Sequence, residues 1–87
     1  MLEHKSIINI NTIQYGKVSV HLDEILSDRK LSKTKLAQLA NTNYKNIKRL
    51  CDRDVQRVDL DILARICYVL DCNVSDVIRY DTSKTGD

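Results

Sequence analysis

SKTKLAQLANTNYKNIKRLC, residues 32–51, reads as two short helices joined by a tight turn. Leu36, Leu39 and Ala40 recur at i, i+3, i+4, and so do Ile47, Leu50 and Cys51, which is the spacing of one apolar face of a helix. Asn41 stands between the two stripes and is among the few residues other than glycine that enter the left-handed region at modest cost. Ala37 offers a small side chain where the two helices must cross, and Ile47 with Leu50 supply the apolar surface by which the second packs back on the first.

Charge gathers around the same stretch. From Arg29 to Arg57 there are nine basic and two acidic residues, a local balance of +7. Residues 1–28 hold two basic and four acidic residues, and residues 58–87 hold three and six, so the remainder balances at −5. The formal net charge of +2 therefore hides a dipolar molecule with one basic face, as expected of a small protein that docks on a polyanion.

Eighty-seven residues suit one domain with one core. That core must be aliphatic, because Phe and Trp are absent and the four aromatic residues are all Tyr. Proline is absent and glycine occurs only at positions 16 and 86, which favours continuous helices. Cys51, Cys67 and Cys72 form no repeated C-x-x-C, and the two histidines, His4 and His21, do not complete a zinc site. The thiols are expected to be reduced and to pack as small hydrophobes, and no metal or other cofactor is expected. No apolar run approaches the ~18–20 residues that cross a bilayer, and MLEHKSIINI has no signal-peptide hydrophobic region, so a cytoplasmic protein is expected.

Further helical stripes flank the central pair. Leu22, Ile25 and Leu26 lie before it; Leu63, Ile66, Cys67 and Leu70, then Val74, Val77 and Ile78, lie after it. The fold expected is a mainly all-α bundle of five short helices, with Ser32, Asn43, Asp59 and Ser75 capping the second to the fifth. None of these is followed by Glu or Gln at the third position, so no capping box is expected. Ile8 and Ile10 alternate with polar neighbours, as do Val18 and Val20, with Gly16 between, which predicts an N-terminal β-strand or hairpin. The organisation expected is an N-terminal extension over 1–17, a domain over 18–80, and a frayed polar tail over 81–87.

With Ala37, Asn41, Ile47 and Leu50 at this spacing, and LDILARICYVLDCNVSDVIRY at 60–80, residues 18–80 resemble the Cro/lambda-repressor type of helix-turn-helix domain, the XRE family, in its small stand-alone bacterial and phage regulators. The resemblance implies a five-helix lambda-repressor-like bundle that binds double-stranded DNA. Its third helix, about residues 44–51, would enter the major groove of a palindromic operator, as a homodimer in a transcriptional regulator, typically a repressor. Carried over by position, base contacts fall on Tyr44, Lys45 and Arg49, with Asn43 and Asn46 as auxiliary contacts. Lys33 stands where the family commonly has a phosphate-bound Gln.

The helical spacing of the residues points to the same positions. Once Ile47, Leu50 and Cys51 turn inward, Tyr44, Lys45, Lys48 and Arg49 face out with Asn46 beside them. Arg and Lys donate to guanine O6 and N7, and Asn pairs with adenine, whereas Lys35, Lys48 and Arg53 suit backbone phosphates. Two departures from the family pattern are visible: Asp52 and Arg53 stand where Gly often follows the third helix, and Thr42 replaces an apolar turn residue.

Other readings of the residues are blander. Tyr68 and Tyr80 fall in the acidic C-terminal third, away from any basic groove, and read as packing or interface residues rather than stacking platforms. His21 reads as a surface residue. There is no Gly-rich phosphate loop, G-x-S-x-G or H-E-x-x-H, so no catalytic residue is assigned. Two alternatives to an operator-binding regulator stay open. One is a protein-interaction module on the same fold, such as an antitoxin or an inhibitor of a phage-defence nuclease; the other is a non-specific architectural DNA binder. Dimer contacts are expected from the strand around residues 7–13 or from the fifth helix.

Overall fold

The computed structural model describes residues 15–82. Each apolar stripe forms a helix: α1 is Leu22–Arg29, α2 Lys33–Leu39, α3 Tyr44–Leu50, α4 Leu60–Leu70 and α5 Val74–Val77. Strands β1, Lys17–Val20, and β2, Ile78–Asp81, bracket them in sequence and pair with each other. The core is aliphatic throughout. Leu22 and Leu26 from α1, Leu36 and Ala37 from α2, Ile47 and Leu50 from α3, Leu63, Ile66 and Leu70 from α4, and Val77 from α5 form one buried cluster. With ten such side chains in a chain this small, the bundle is held chiefly by apolar burial, at ~25 cal/mol per Å² removed from water.

Three of the four expected caps are in place. Ser32 accepts from the Lys35 N–H, Asn43 from the Asn46 N–H, and Asp59 from the N–H groups of Asp61 and Ile62. The fourth is displaced. Asn73, not Ser75, precedes α5, and its own N–H donates to the Asp76 carboxylate at 2.9 Å, so the capping-box contact is made by Asp in place of the expected Glu or Gln. Three turns take left-handed backbone without glycine: Lys30 at φ 55°, Asn41 at 53° and Asp71 at 51°.

The sheet departs most from expectation. Val18 and Val20 do form a strand, but it runs antiparallel to β2, with Val18 opposite Tyr80 and Val20 opposite Ile78. Ile8 and Ile10, the other arm of the expected hairpin, lie outside the described residues. The fifth helix consequently stops at Val77, because Ile78 is already extended at φ −124°, ψ 128°. Lys17 pairs with Asp81, so the folded unit runs past the expected limits of 18 and 80, and Asp81 belongs to a strand rather than to a frayed tail. Gly16 turns the chain into β1 at φ +89°. A Cβ there would come within 2.6 Å of both the Asp81 carbonyl oxygen and the Tyr80 hydroxyl, which donates to the Tyr15 carbonyl.

His21 is a joint and not a free surface residue. Its N–H donates to the Val77 carbonyl, Nδ1 lies 2.9 Å from Glu24, and Nε2 lies 2.8 Å from the Ser19 hydroxyl. It thereby ties the start of α1 to both β1 and α5. Leu39 and Val74, counted among the apolar stripes, are more than half exposed. In a helix of seven residues Leu36, Ala37 and Ala40 occupy the inward face, and Leu39 falls about 100° away from its centre.

Candidate nucleic-acid interface

The turn between α2 and α3 is built from the residues its spacing named. Ala37 is buried, and its carbonyl accepts from the Thr42 N–H at 2.9 Å. Asn41 takes the left-handed conformation. Its carbonyl accepts from the Arg65 guanidinium at 3.0 Å, which is itself paired with Asp61 at 2.9 Å. Arg65 comes from α4 and carried no sequence signal, because nothing local links it to a turn 24 residues earlier. Thr42, anomalous by the family pattern, accepts from the Asn46 side-chain amide at 2.9 Å, so a polar clasp closes this turn.

Because Ile47 is fully buried and Leu50 nearly so, the opposite side of α3 must face solvent. Tyr44, Lys45, Lys48 and Arg49 are exposed there. Together with Lys33 from α2 and Asp23 from α1 they line one depression beside the helix. On its other flank Arg49 and Asn46 border a second groove with Arg57 and Val58 of the α3–α4 loop. Arg57, which the sequence marks only as part of the basic run, borders that groove.

The remaining expected residues are held differently. Asn43 uses its side-chain oxygen as the α3 cap, and Asn46 is half-buried, its amide turned to Thr42. Arg53 is exposed in the loop beyond α3. The missing glycine after α3 is replaced by Asp52, whose carboxylate accepts from the Asp54 N–H at 2.9 Å and turns the chain without a positive φ.

Lys33 is not free in this state. Its ammonium lies 3.3 Å from the Asp23 carboxylate, and that hydrogen bond and charge hold its pKa above the ordinary lysine value. Cys51 lies at the same junction. Burial first, then the charge of Asp23, push its thiol up to about 11. At pH 8 the thiolate fraction falls by about two orders of magnitude relative to an ordinary cysteine, so Cys51 should react with iodoacetamide about 100-fold more slowly than a free thiol. The folded state favours the neutral thiol, so this contribution to stability is complete below the ordinary thiol pKa and fades as pH rises toward 11. Peptide mapping of alkylated protein at pH 8 and pH 10 checks the rate. Cys51, Cys67 and Cys72 are all free and half-buried.

A bundle of this topology, with a capped helix whose inner side is seated in the core and whose outer side is basic, defines a helix-turn-helix DNA-binding domain. Residues 21–83 match the Cro/C1-type HTH DNA-binding domain, and the chain belongs to that family. It is similar to YozG of Bacillus subtilis (strain 168), an uncharacterised HTH-type transcriptional regulator, with 27% identity over 63 residues covering 72% of this chain and 75% of YozG. The crystal structure of the transcriptional regulator VanUg is similar at TM-score 0.62 and 26% identity, covering 83% of this chain and 95% of that one. No helix among the described residues is long and apolar enough to cross a membrane.

Proposed function

We propose that this chain is a cytoplasmic, sequence-specific transcriptional regulator. It acts as a repressor that occupies a palindromic operator as a homodimer, with α3 of each copy in the major groove of one half-site. The observation that carries this reading is the two-sidedness of α3: Ile47 and Leu50 seat it in the core while Tyr44, Lys45, Lys48 and Arg49 stand clear of it. One such module reads only a few base pairs, and two half-sites about one helical turn apart multiply the affinity.

Arg49 and Lys45 donate to base edges, with Tyr44 packing beside them. Asn46 and Asn43 reach bases or phosphates only with the capacity their bonds to Thr42 and to the Asn46 N–H leave over. Lys33, Lys48 and Arg53 contact phosphates and set the register of the helix. Lys33 must exchange Asp23 for a phosphate oxygen to do so.

Salt dependence tests this division of labour. Log affinity for a duplex should fall linearly with log salt, at about −0.9 per phosphate neutralised. Lys33→Ala should make that slope shallower by about 0.9 per protomer. An unchanged slope removes Lys33 from the phosphate contacts. Absence of duplex binding at ~50 mM salt would favour a protein-partner module, and equal affinity for all sequences an architectural binder.

A further inference from the structure

Helix α4 carries two of the largest exposed apolar side chains of the described residues, Leu60 at 77% and Tyr68 at 87% exposure. They stand eight residues apart with exposed Ala64 midway, so the three form one outward stripe at i, i+4, i+8. Leu63, Ile66 and Leu70 take the inward face. Along one flank of the stripe runs the Asp61–Arg65 ion pair. From α2, half-exposed Leu39 extends the apolar surface across a shallow depression shared with Ala64 and Tyr68. None of the basic residues of α3 lines that depression.

We infer that this face receives a second copy of the chain, α4 packing antiparallel on α4 about a two-fold axis at Ala64. The inference rests on the homodimer reading above and gives it a surface in place of the two expected from the sequence, the fifth helix and the strand around residues 7–13, the latter outside the described residues. Self-complementarity is what an isologous contact requires, and the stripe has it. At a rise of ~1.5 Å per residue, Leu60 lies ~6 Å to one side of Ala64 and Tyr68 ~6 Å to the other, so the axis sets each Leu60 against the other copy's Tyr68. Asp61 lies ~4.5 Å from the axis on the Leu60 side, and Arg65 ~1.5 Å on the Tyr68 side. The two-fold operation carries the second Arg65 onto the same flank as the first Asp61, offset by ~3 Å along the helix, and does the same reciprocally. Along that flank the order is carboxylate, guanidinium, guanidinium, carboxylate at steps of ~3 Å, so the two Arg65 are neighbours across the axis and each is flanked on its other side by an Asp61 of the opposite copy. Ala64, the smallest side chain of the stripe, falls where the helices cross and permits an approach of ~10 Å, within the range of helix packing, which leaves the facing Cα atoms ~5.4 Å apart. A partner of another kind would need neither the symmetric spacing nor the matched charge.

The test is an Ala64→Cys variant oxidised with glutathione disulfide, run beside the native chain, whose three half-buried thiols serve as the control. Cysteines on a two-fold axis at this spacing meet disulfide geometry. The variant should give a covalent dimer on non-reducing gels where the native chain gives none. Tyr68→Glu or Leu60→Glu added to it should lower the yield at least tenfold. The same two substitutions in the native chain should raise the dimer dissociation constant in sedimentation equilibrium at least tenfold. Both side chains are exposed, and circular dichroism of the reduced proteins checks that the fold is kept. A native dimer in sedimentation without the Ala64→Cys cross-link overturns this interface while leaving the homodimer reading intact. A chain that stays monomeric both free and on DNA overturns both.

Discussion

Ile47→Ala should destabilise the domain by about 2–5 kcal/mol, an effect of the size expected for any of the fully buried aliphatic residues of the core. Ile47 is fully buried, and its removal both forfeits transfer free energy and leaves a cavity where α3 rests on the bundle. Small domains have only about 5–15 kcal/mol in total, so a substantial fraction of the margin would go. Urea unfolding followed at 222 nm measures it. A functional consequence should follow at urea concentrations where the variant is still folded: α3 loses its seat, and DNA affinity falls with it. A loss below about 1 kcal/mol would mean that α3 is held by something other than this side chain.

Arg49→Ala should cost about 1–3 kcal/mol in operator binding, roughly 5- to 150-fold in affinity, and relax discrimination at one base pair in each half-site. Arg49 is exposed, stands on the outward side of α3, and borders both grooves that flank the helix. From there a planar guanidinium has the reach and the donor geometry for guanine O6 and N7. Titration against operators carrying each substitution separates the roles. Uniform weakening across sequences would make Arg49 a phosphate contact.

Ile47 and Arg49 stand on opposite sides of one helix, and that helix was legible because its signals are local. Ala37, Asn41, Ile47 and Leu50 lie within fourteen residues of one another, and each does in the structure what its size or backbone freedom required. Caps at Ser32, Asn43 and Asp59 were readable for the same reason, since a cap bonds only two or three residues ahead.

What escaped the sequence is what depends on distant partners. The β1–β2 ladder joins Lys17 to Asp81, and alternation over four residues names a strand without naming its mate. The clamp from Arg65 to the Asn41 carbonyl, the Asp23–Lys33 pair, and the guanidinium of Arg29 on the Leu70 carbonyl link separate elements through single side chains. No periodicity records such contacts. Asn73 displaced Ser75 as a cap because Asp76 could reciprocate, a preference that the search for Glu or Gln did not admit. Asn46 and Asn43 were legible as polar residues of α3, yet the structure engages both within the protein, which leaves the arginine and lysines of α3 as its least encumbered donors.

That assignment bears on regulation as well as on affinity. With Lys33 paired to Asp23, the basic face carries an internal counterion that a phosphate must displace. Lys33 should therefore contribute less to affinity than an exposed lysine with no carboxylate beside it.

Sequence-specific reading by α3 is decided by selection of bound sequences from a random duplex pool, with the purified protein at ~150 mM salt. The expected result is enrichment of an inverted repeat whose half-sites lie about one helical turn, ~10 base pairs, apart, with guanine at the position that Arg49→Ala relaxes. A pool that emerges without an enriched repeat would contradict sequence-specific reading by α3.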